Sequence, residues 1–339
     1  MSTPRFEVPV LDLSTARNPD GSFNTTFIHE LRDAAHNVGF FQVTNYGAAP
    51  AQAQELLDTV AGFFALPLEQ RLALDNRSSA QFRGYTRLGA EITRGRADSR
   101  EQIDFGPDRE PFAQVSADTL FWRLQGRNRW PENYPELERT AMAWAALMAA
   151  TGAELLAGIS VALGLSEDYF AAPFDGTPAW MSKLVHYVGT GTIGTDNQGV
   201  GSHADYGFVT LLLQDAVGGL EVQPHGQEQW LAVEPIPGAL VVNLGEMLEV
   251  ATNGYLMATI HRVTSPPPGV NRYSVPYFWS PRLDAVIDPV PLPPALAAEA
   301  PGVTEDPANP MLSSYGANVL KGWIRAHPET AKVHYPELG

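Results

Sequence analysis

KLVHYV (183–188), FVTLLLQ (208–214), LEVQ (220–223), WLAV (230–233), ALVVNL (239–244), HRVT (261–264) and RYSVPYF (272–278) are short runs of β-branched, aromatic and aliphatic residues broken by Gly, Pro and Asn. Seven such runs in about 100 residues predict an antiparallel barrel or sandwich over the second half of the chain. The spacer PHGQEQ (224–229) carries a glycine, so LEVQ and WLAV read as the arms of a hairpin. Outward from this block the pattern changes to helices. NTTFIHELRDAAHNV (24–38) has helical apolar spacing with Asn24 as its cap, and residues 50–66 and 135–164 carry the same period, the latter stopped by Gly164. EVPVLDL (7–13) and GFFQVTNYG (39–47) read as two further strands, and LSSYGANVLKGWIRA (312–326) as a last helix.

The chain has 339 residues, of which 44% are hydrophobic and 18% charged, enough apolar material for a large core. Length alone leaves one elaborated domain competing with two. The reading adopted is one structural unit with an N-terminal region (1–175), a β core (176–285), and a Pro-rich segment with a C-terminal helix (286–339). Within the first region, residues 76–131 are irregular and rich in Arg, Gly and Asp, too long for an idle connector, and suggest a substrate-covering segment. Asp and Glu number 38 against 22 Lys and Arg, a formal charge of −16 that repels a phosphate backbone, so nucleic acid is not expected as a partner. No cysteine is present, which excludes disulfides, thiolate metal sites and cysteine nucleophiles together. The first residues carry no apolar signal region, and no run approaches the ~18 apolar residues of a spanning helix, so a cytoplasmic protein without a membrane partner is expected.

Gly189-Thr190-Gly191-Thr192-Ile193-Gly194 matches a dinucleotide-binding G-x-G-x-x-G after a strand-like run. The physics of that motif needs a helix after the third glycine, and TDNQGVGSHADYG (195–207) has no helical period, so a loop between barrel strands is the better reading. In the same stretch His203 and Asp205 stand two apart, and strand alternation would aim both at one face. A second histidine, His261, follows in HRVT, 58 residues on (261 − 203). Two imidazoles and a carboxylate form a facial triad suited to non-haem Fe(II), leaving positions for a bidentate cosubstrate and O2, whereas zinc favours a closed tetrahedron. Alone, His203-x-Asp205 would read as a hydrogen-bonded surface pair and His261 as a core histidine with a satisfied ring. Eleven residues after His261, Arg272 and Ser274 share a strand face, a guanidinium beside a hydroxyl that fits the distal carboxylate of 2-oxoglutarate. A structural ion pair for Arg272 is the competing reading.

These residues resemble the isopenicillin N synthase-like family of Fe(II)/2-oxoglutarate-dependent oxygenases. The resemblance rests on His203-x-Asp205, His261 and Arg272-x-Ser274, with VPVLDLS (8–14), GFFQVTNYG, RNRWP (127–131), PGALVVNLGEMLEVATNG (237–254) and HRVTSP (261–266), and runs over nearly the whole chain. It implies a mainly β protein with flanking helices, a double-stranded β-helix (jelly-roll) core, and iron held by His203, Asp205 and His261 at one mouth of the barrel. It further implies that Arg272 and Ser274 bind 2-oxoglutarate, that Tyr187 touches its carboxylate, and that oxygen drives oxidation of a small-molecule substrate with release of succinate and CO2. The chain departs from the family pattern at Val185, where Asn is common, at Val188, where Pro follows the tyrosine, and at Glu246, where Asp is common. Two alternatives stay open: an oxidase that uses Fe(II) and O2 without 2-oxoglutarate, and a non-catalytic jelly-roll that binds a small acid. Arg83, Tyr85 and Phe278 are the candidate substrate contacts, with solvated surface charge as the competing reading for the arginine-bearing segment. A monomer or weak oligomer is expected.

Overall fold

The computed structural model describes residues 7–189, 198–303 and 309–338. Its strands are β1 (Val10–Asp12), β2 (Phe40–Thr44), β3 (Gly84–Thr86), β4 (Ile92–Thr93), β5 (Arg96–Ala97), β6 (Arg100–Phe105), β7 (Met181–Val188), β8 (Gln198–His203), β9 (Val209–Gln214), β10 (Leu220–Gln223), β11 (Leu231–Ala232), β12 (Leu240–Leu244), β13 (Ile260–Thr264) and β14 (Asn271–Trp279). All seven β-rich runs of the second half are strands. A larger sheet has the order β1-β2-β12-β9-β14-β7-β6-β3, and a smaller one the order β11-β10-β13-β8. Between them Phe40, Val185, Tyr187 and Val241 of the larger sheet pack with Val200, Leu220, Val222 and Val263 of the smaller, the two-sheet core of a jelly roll.

Side-chain alternation explains the other layer. Phe41, Val43, Leu184, Leu211, Val242 and Tyr277 point outward from the larger sheet and join a second core with the helices. Those helices are α1 (Thr25–Asn37), α2 (Pro50–Phe64), α3 (Leu68–Leu72), α4 (Glu136–Ala162), α5 (Ala171–Phe174), α6 (Glu246–Ala251), α7 (Pro294–Ala297), α8 (Tyr315–Ala326) and α9 (Pro328–His334). Asn24 caps α1 as the sequence predicts, its side chain accepting from the Thr26 amide at 2.9 Å. Gly164 follows α4 with a φ of +77°, the left-handed turn that glycine allows at a helix end. α4 is more apolar than the sequence reading expects, with a mean hydropathy of 1.6 over 18 residues, the level of a spanning helix. More than half of that window (56%) is buried, since α4 lies between α1, α2 and the outer face of β14 and β9. At Gly152 the approach is so close that a Cβ would stand 2.8 Å from Trp279 Cγ.

Three expectations need correction. The stretch 76–131 is not irregular throughout: Gly84–Thr86 and Arg100–Phe105 are sheet strands, and the latter is buried along its whole length. The loop expected ahead of His203 is in part β8, paired with β13 so that His203 stands opposite His261; the G-x-G-x-x-G residues after Gly189 lie outside the described residues. The last helix is followed by α9, which the sequence reading missed because His327 and Pro328 interrupt the period.

Candidate active site

A cavity of about 910 Å³ opens between the two sheets, with α8 along one side, and His203, Asp205, His261, Arg272 and Ser274 all line it. Asp205 does not reach the histidines by strand alternation. β8 ends at His203, and Asp205 sits in the turn beyond it. Three backbone bonds hold that turn onto the start of α6: the Asp205 carbonyl accepts from the Glu246 amide at 2.8 Å, the Phe208 carbonyl from the Gly245 amide at 2.9 Å, and the Tyr206 carbonyl from the Met247 amide at 3.3 Å. Gly245 is required here, because a Cβ would come within 2.2 Å of the Gly207 carbonyl oxygen.

The ligating atoms of the three residues lie within 4.8 Å of one another. His203 Nε2 is 3.7 Å and His261 Nε2 3.8 Å from the same oxygen, Asp205 Oδ1. Each imidazole is fixed by the carbonyl two residues earlier: His203 Nδ1 donates to Gly201 at 2.8 Å and His261 Nδ1 to Thr259 at 3.1 Å. A carbonyl only accepts, so Nδ1 carries the proton and the Nε2 lone pair is left facing Asp205. The other carboxylate oxygen is occupied. Asp205 Oδ2 accepts from Thr210 Oγ1 at 2.6 Å and from Asn243 Nδ2 at 2.7 Å, leaving Oδ1 for the cavity. Burial pushes the pKa of both histidines down, favouring neutral imidazoles. Burial alone would raise the Asp205 carboxyl, but His261, His203 and the Asn243 and Thr210 hydrogen bonds hold it below the usual range.

Arg272 is fully buried at 0% exposure. Its Nη2 donates to the neutral Gln214 amide at 3.1 Å and its Cζ lies 4.6 Å above the Tyr187 ring, while Nε and Nη1 have no hydrogen-bond partner. No described Asp or Glu pairs with it, so the structural ion pair is not what holds it. Phe278 and Arg83 line the cavity as the sequence suggests. Tyr85 does not: it is buried on the opposite face of the sheet, its hydroxyl donating to Glu101 with Arg71 alongside, because β3 alternation turns it toward α2.

Sequence reasoning missed a buried charged wall on β6 and β7. Arg100 Nη2 meets Glu91 at 3.0 Å and Asp98 at 3.2 Å, and Lys183 Nζ meets Asp104 at 2.8 Å and Glu91 at 3.2 Å. The signal is present in RADSREQIDF (96–105), where Asp98, Arg100, Gln102 and Asp104 alternate with apolar Ile103 and Phe105. Thr210 and Asn243 were findable as the polar residues inside the apolar runs FVTLLLQ and ALVVNL.

Two family profiles cover most of the chain: the N-terminal part of non-haem dioxygenases in morphine synthesis matches residues 8–133, and the 2OG-Fe(II) oxygenase superfamily matches residues 181–281. Among relatives, the 2-oxoglutarate-dependent dioxygenase frbJ of Dothideomycetidae sp. (strain 11243) is 31% identical, over 98% of this chain and 93% of its own. The chain belongs to the 2OG-Fe(II) oxygenase superfamily. A homoarginine-6-hydroxylase of Oryza sativa subsp. japonica is 33% identical to this oxygenase, over 78% of the chain and 80% of its own length. A full-length Neurospora crassa protein solved in complex with alpha-KG shares 25% identity and a TM-score of 0.75, covering 93% of this chain and 95% of that one. The oxygenase is accordingly a dioxygenase that uses Fe(II), 2-oxoglutarate and O2. That decides against both the oxidase without 2-oxoglutarate and the acid-binding protein without activity.

Proposed function

We propose that His203 Nε2, His261 Nε2 and Asp205 Oδ1 hold the iron, that Arg272 with Ser274 and Tyr187 receives the distal carboxylate of 2-oxoglutarate, and that a small organic molecule is oxidised beside them. The donor set suits the group, since one face of nitrogen and oxygen ligands leaves room for a bidentate cosubstrate and oxygen. When bound, iron with 2-oxoglutarate and O2 supplies the oxidising power, with succinate and CO2 released as substrate is oxidised. The chain's own work is positioning. Gly201 and Thr259 set the imidazole tautomers, Thr210 and Asn243 restrict Asp205 to one oxygen, and Arg272 sets the register of the cosubstrate.

One observation carries the reading: a fully buried guanidinium with two unpartnered nitrogens faces the same cavity as the triad. A carboxylate from outside would satisfy it with charge-assisted hydrogen bonds. The same reading has a cytoplasmic enzyme, monomeric or weakly associating, acting on a small molecule; gel filtration of the purified chain tests its size. The central test is an anaerobic titration with Fe(II) and then 2-oxoglutarate, followed by the visible charge-transfer band. Wild type gives the band, and Asp205→Ala does not. A band of wild-type intensity in Asp205→Ala overturns the ligand assignment.

A further inference from the structure

Arg83 is a second buried guanidinium in the cavity wall that nothing in the described chain satisfies. It is 7% exposed, its Nε and Nη1 make no hydrogen bond, and Asp104 and Asp108 act on it only from beyond hydrogen-bonding reach. Gly106 makes room for it, since a Cβ there would fall 2.1 Å from Nη1. Burial pushes its pKa down to about 10, so it stays charged at neutral pH.

The sheet register locates this group. Arg272 pairs with Tyr187, which pairs in turn with Arg100; at the far end of the same two strands Ser182 pairs with Phe105, next to Gly106. Five residues along a strand span roughly 16 Å. A five-carbon diacid anchored on Arg272 is much shorter than that, so the cosubstrate does not need Arg83. A second cation, Arg109, lines the same end of the cavity and is held by the Thr177 carbonyl at 3.3 Å. Trp122, Leu124, Met181 and Phe278 supply apolar wall.

We infer that Arg83, with Arg109 beside it, receives the carboxylate of the oxygenase's substrate, a small organic acid whose apolar body lies along Trp122, Leu124, Met181 and Phe278. The inference rests on the cofactor assignment proposed above, because Arg272 must be taken by 2-oxoglutarate for the substrate to need its own arginine. A planar guanidinium fork fits a carboxylate with two parallel bonds, which an uncharged amide of equal shape cannot reproduce.

The test uses the full chain, anaerobic, loaded with Fe(II) and saturating 2-oxoglutarate so that Arg272 is occupied. Straight-chain and aryl monocarboxylates of three to ten carbons, each matched with its primary amide, are titrated by calorimetry while the charge-transfer band is watched. At least one acid is expected to bind saturably, on the order of tenfold or more tighter than its amide. Arg83→Met removes that preference, Arg109→Gln weakens it less, and Arg83→Lys retains part of it; 2-oxoglutarate affinity stays within about twofold in all three. Replacing an unpaired buried charge by an apolar side chain of similar length does not endanger the fold, and the lysine variant supplies a second check. Acids and amides binding alike, no acid binding, or wild-type acid affinity in Arg83→Met each overturns the inference. If instead the band never forms in wild type, the cosubstrate assignment fails, and the calorimetric preference of acid over amide still reads Arg83 by itself.

Discussion

Arg100 and Arg272 flank Tyr187 in one sheet, the first on β6 and the second on β14, and both line the same cavity. Arg100 is closed by two carboxylates, Glu91 and Asp98, and Glu91 is shared with Lys183. Arg272 has one neutral amide and an aromatic face. A buried charge without a counter-charge costs several kcal/mol, so a chain that keeps one recovers the cost only when a ligand brings the missing charge. Charge density does not mark the binding wall of this cavity, and neither do unpartnered polar atoms, which both walls carry; a buried charge without a counter-charge does. The closed wall belongs to folding, and the open one to chemistry.

The sharpest break in that division is Asp205→Ala, on the open side. Iron binding and turnover should vanish, because two imidazoles cannot hold the facial geometry, while thermal unfolding moves little since both cores are untouched. Iron content, product formation and Tm measured on one preparation decide it; wild-type turnover would sink the assignment. Next in size is the matched pair Arg100→Met and Arg272→Met. The first leaves Asp98 without a cation and Glu91 with Lys183 alone, and should cost about 3 to 5 kcal/mol of stability in denaturant unfolding. The second should leave stability unchanged or raised. Equal losses in both would erase the distinction between the walls.

Arg272→Lys refines the open side. It keeps the charge but loses the fork, so at least one charge-assisted hydrogen bond, about 1.5 to 3 kcal/mol, should go. Apparent affinity for 2-oxoglutarate then falls roughly 10- to 150-fold at unchanged iron content; succinate formation against 2-oxoglutarate concentration reads this. Asn243→Ala, which removes one of the two hydrogen bonds on Asp205 Oδ2, should weaken iron affinity by roughly 10- to 100-fold, measured by chelator competition, with an unaltered cosubstrate requirement. The smallest effect tests the closed wall. His327 lies beside it, and burial lowers its pKa below the ordinary 6.5 despite the pull of Glu91 and Asp104. The unfolded chain therefore takes up a proton near pH 6.5 that the folded chain refuses, and stability falls as the pH drops below that value. In His327→Phe the acid-side decline in Tm should be shallower by on the order of 2 °C between pH 6.5 and 5.5. Parallel curves for the two proteins would remove His327 from the acid response.

Much of this was legible in the sequence, for reasons that differ by element. The strands of 183–278 are short, apolar and punctuated by turn residues, so local pattern suffices. His203, Asp205, His261, Arg272 and Ser274 stand out because their residue types are chemically rare together. β6 was not legible as a strand, because its inward face carries Arg100, Gln102 and Asp104 in place of apolar side chains; only a cavity on that side makes the pattern sensible. Asp205 was placed on the correct side for the wrong reason: the turn held by Gly245 and Glu246, not strand alternation, aims it. Tyr85 was misread because its neighbour Arg83 belongs to the cavity, and two positions along an irregular backbone need not share a face.

β14 occupies the middle of the larger sheet, between β9 and β7, yet it is the last of the strands to be synthesised. Until residues 271–279 leave the ribosome, β7 and β9 each present an unpaired edge toward the place β14 will take. At ~5–20 residues per second, the interval between the end of β9 and the start of β14 is roughly 3 to 11 s, during which two apolar strand edges stay open to pairing with other chains. The strand that closes them also carries Arg272 and Ser274. Assembly of the sheet and arrival of these two side chains are therefore one event, and a nascent chain arrested before it has neither a sealed barrel nor the Arg272–Ser274 pair.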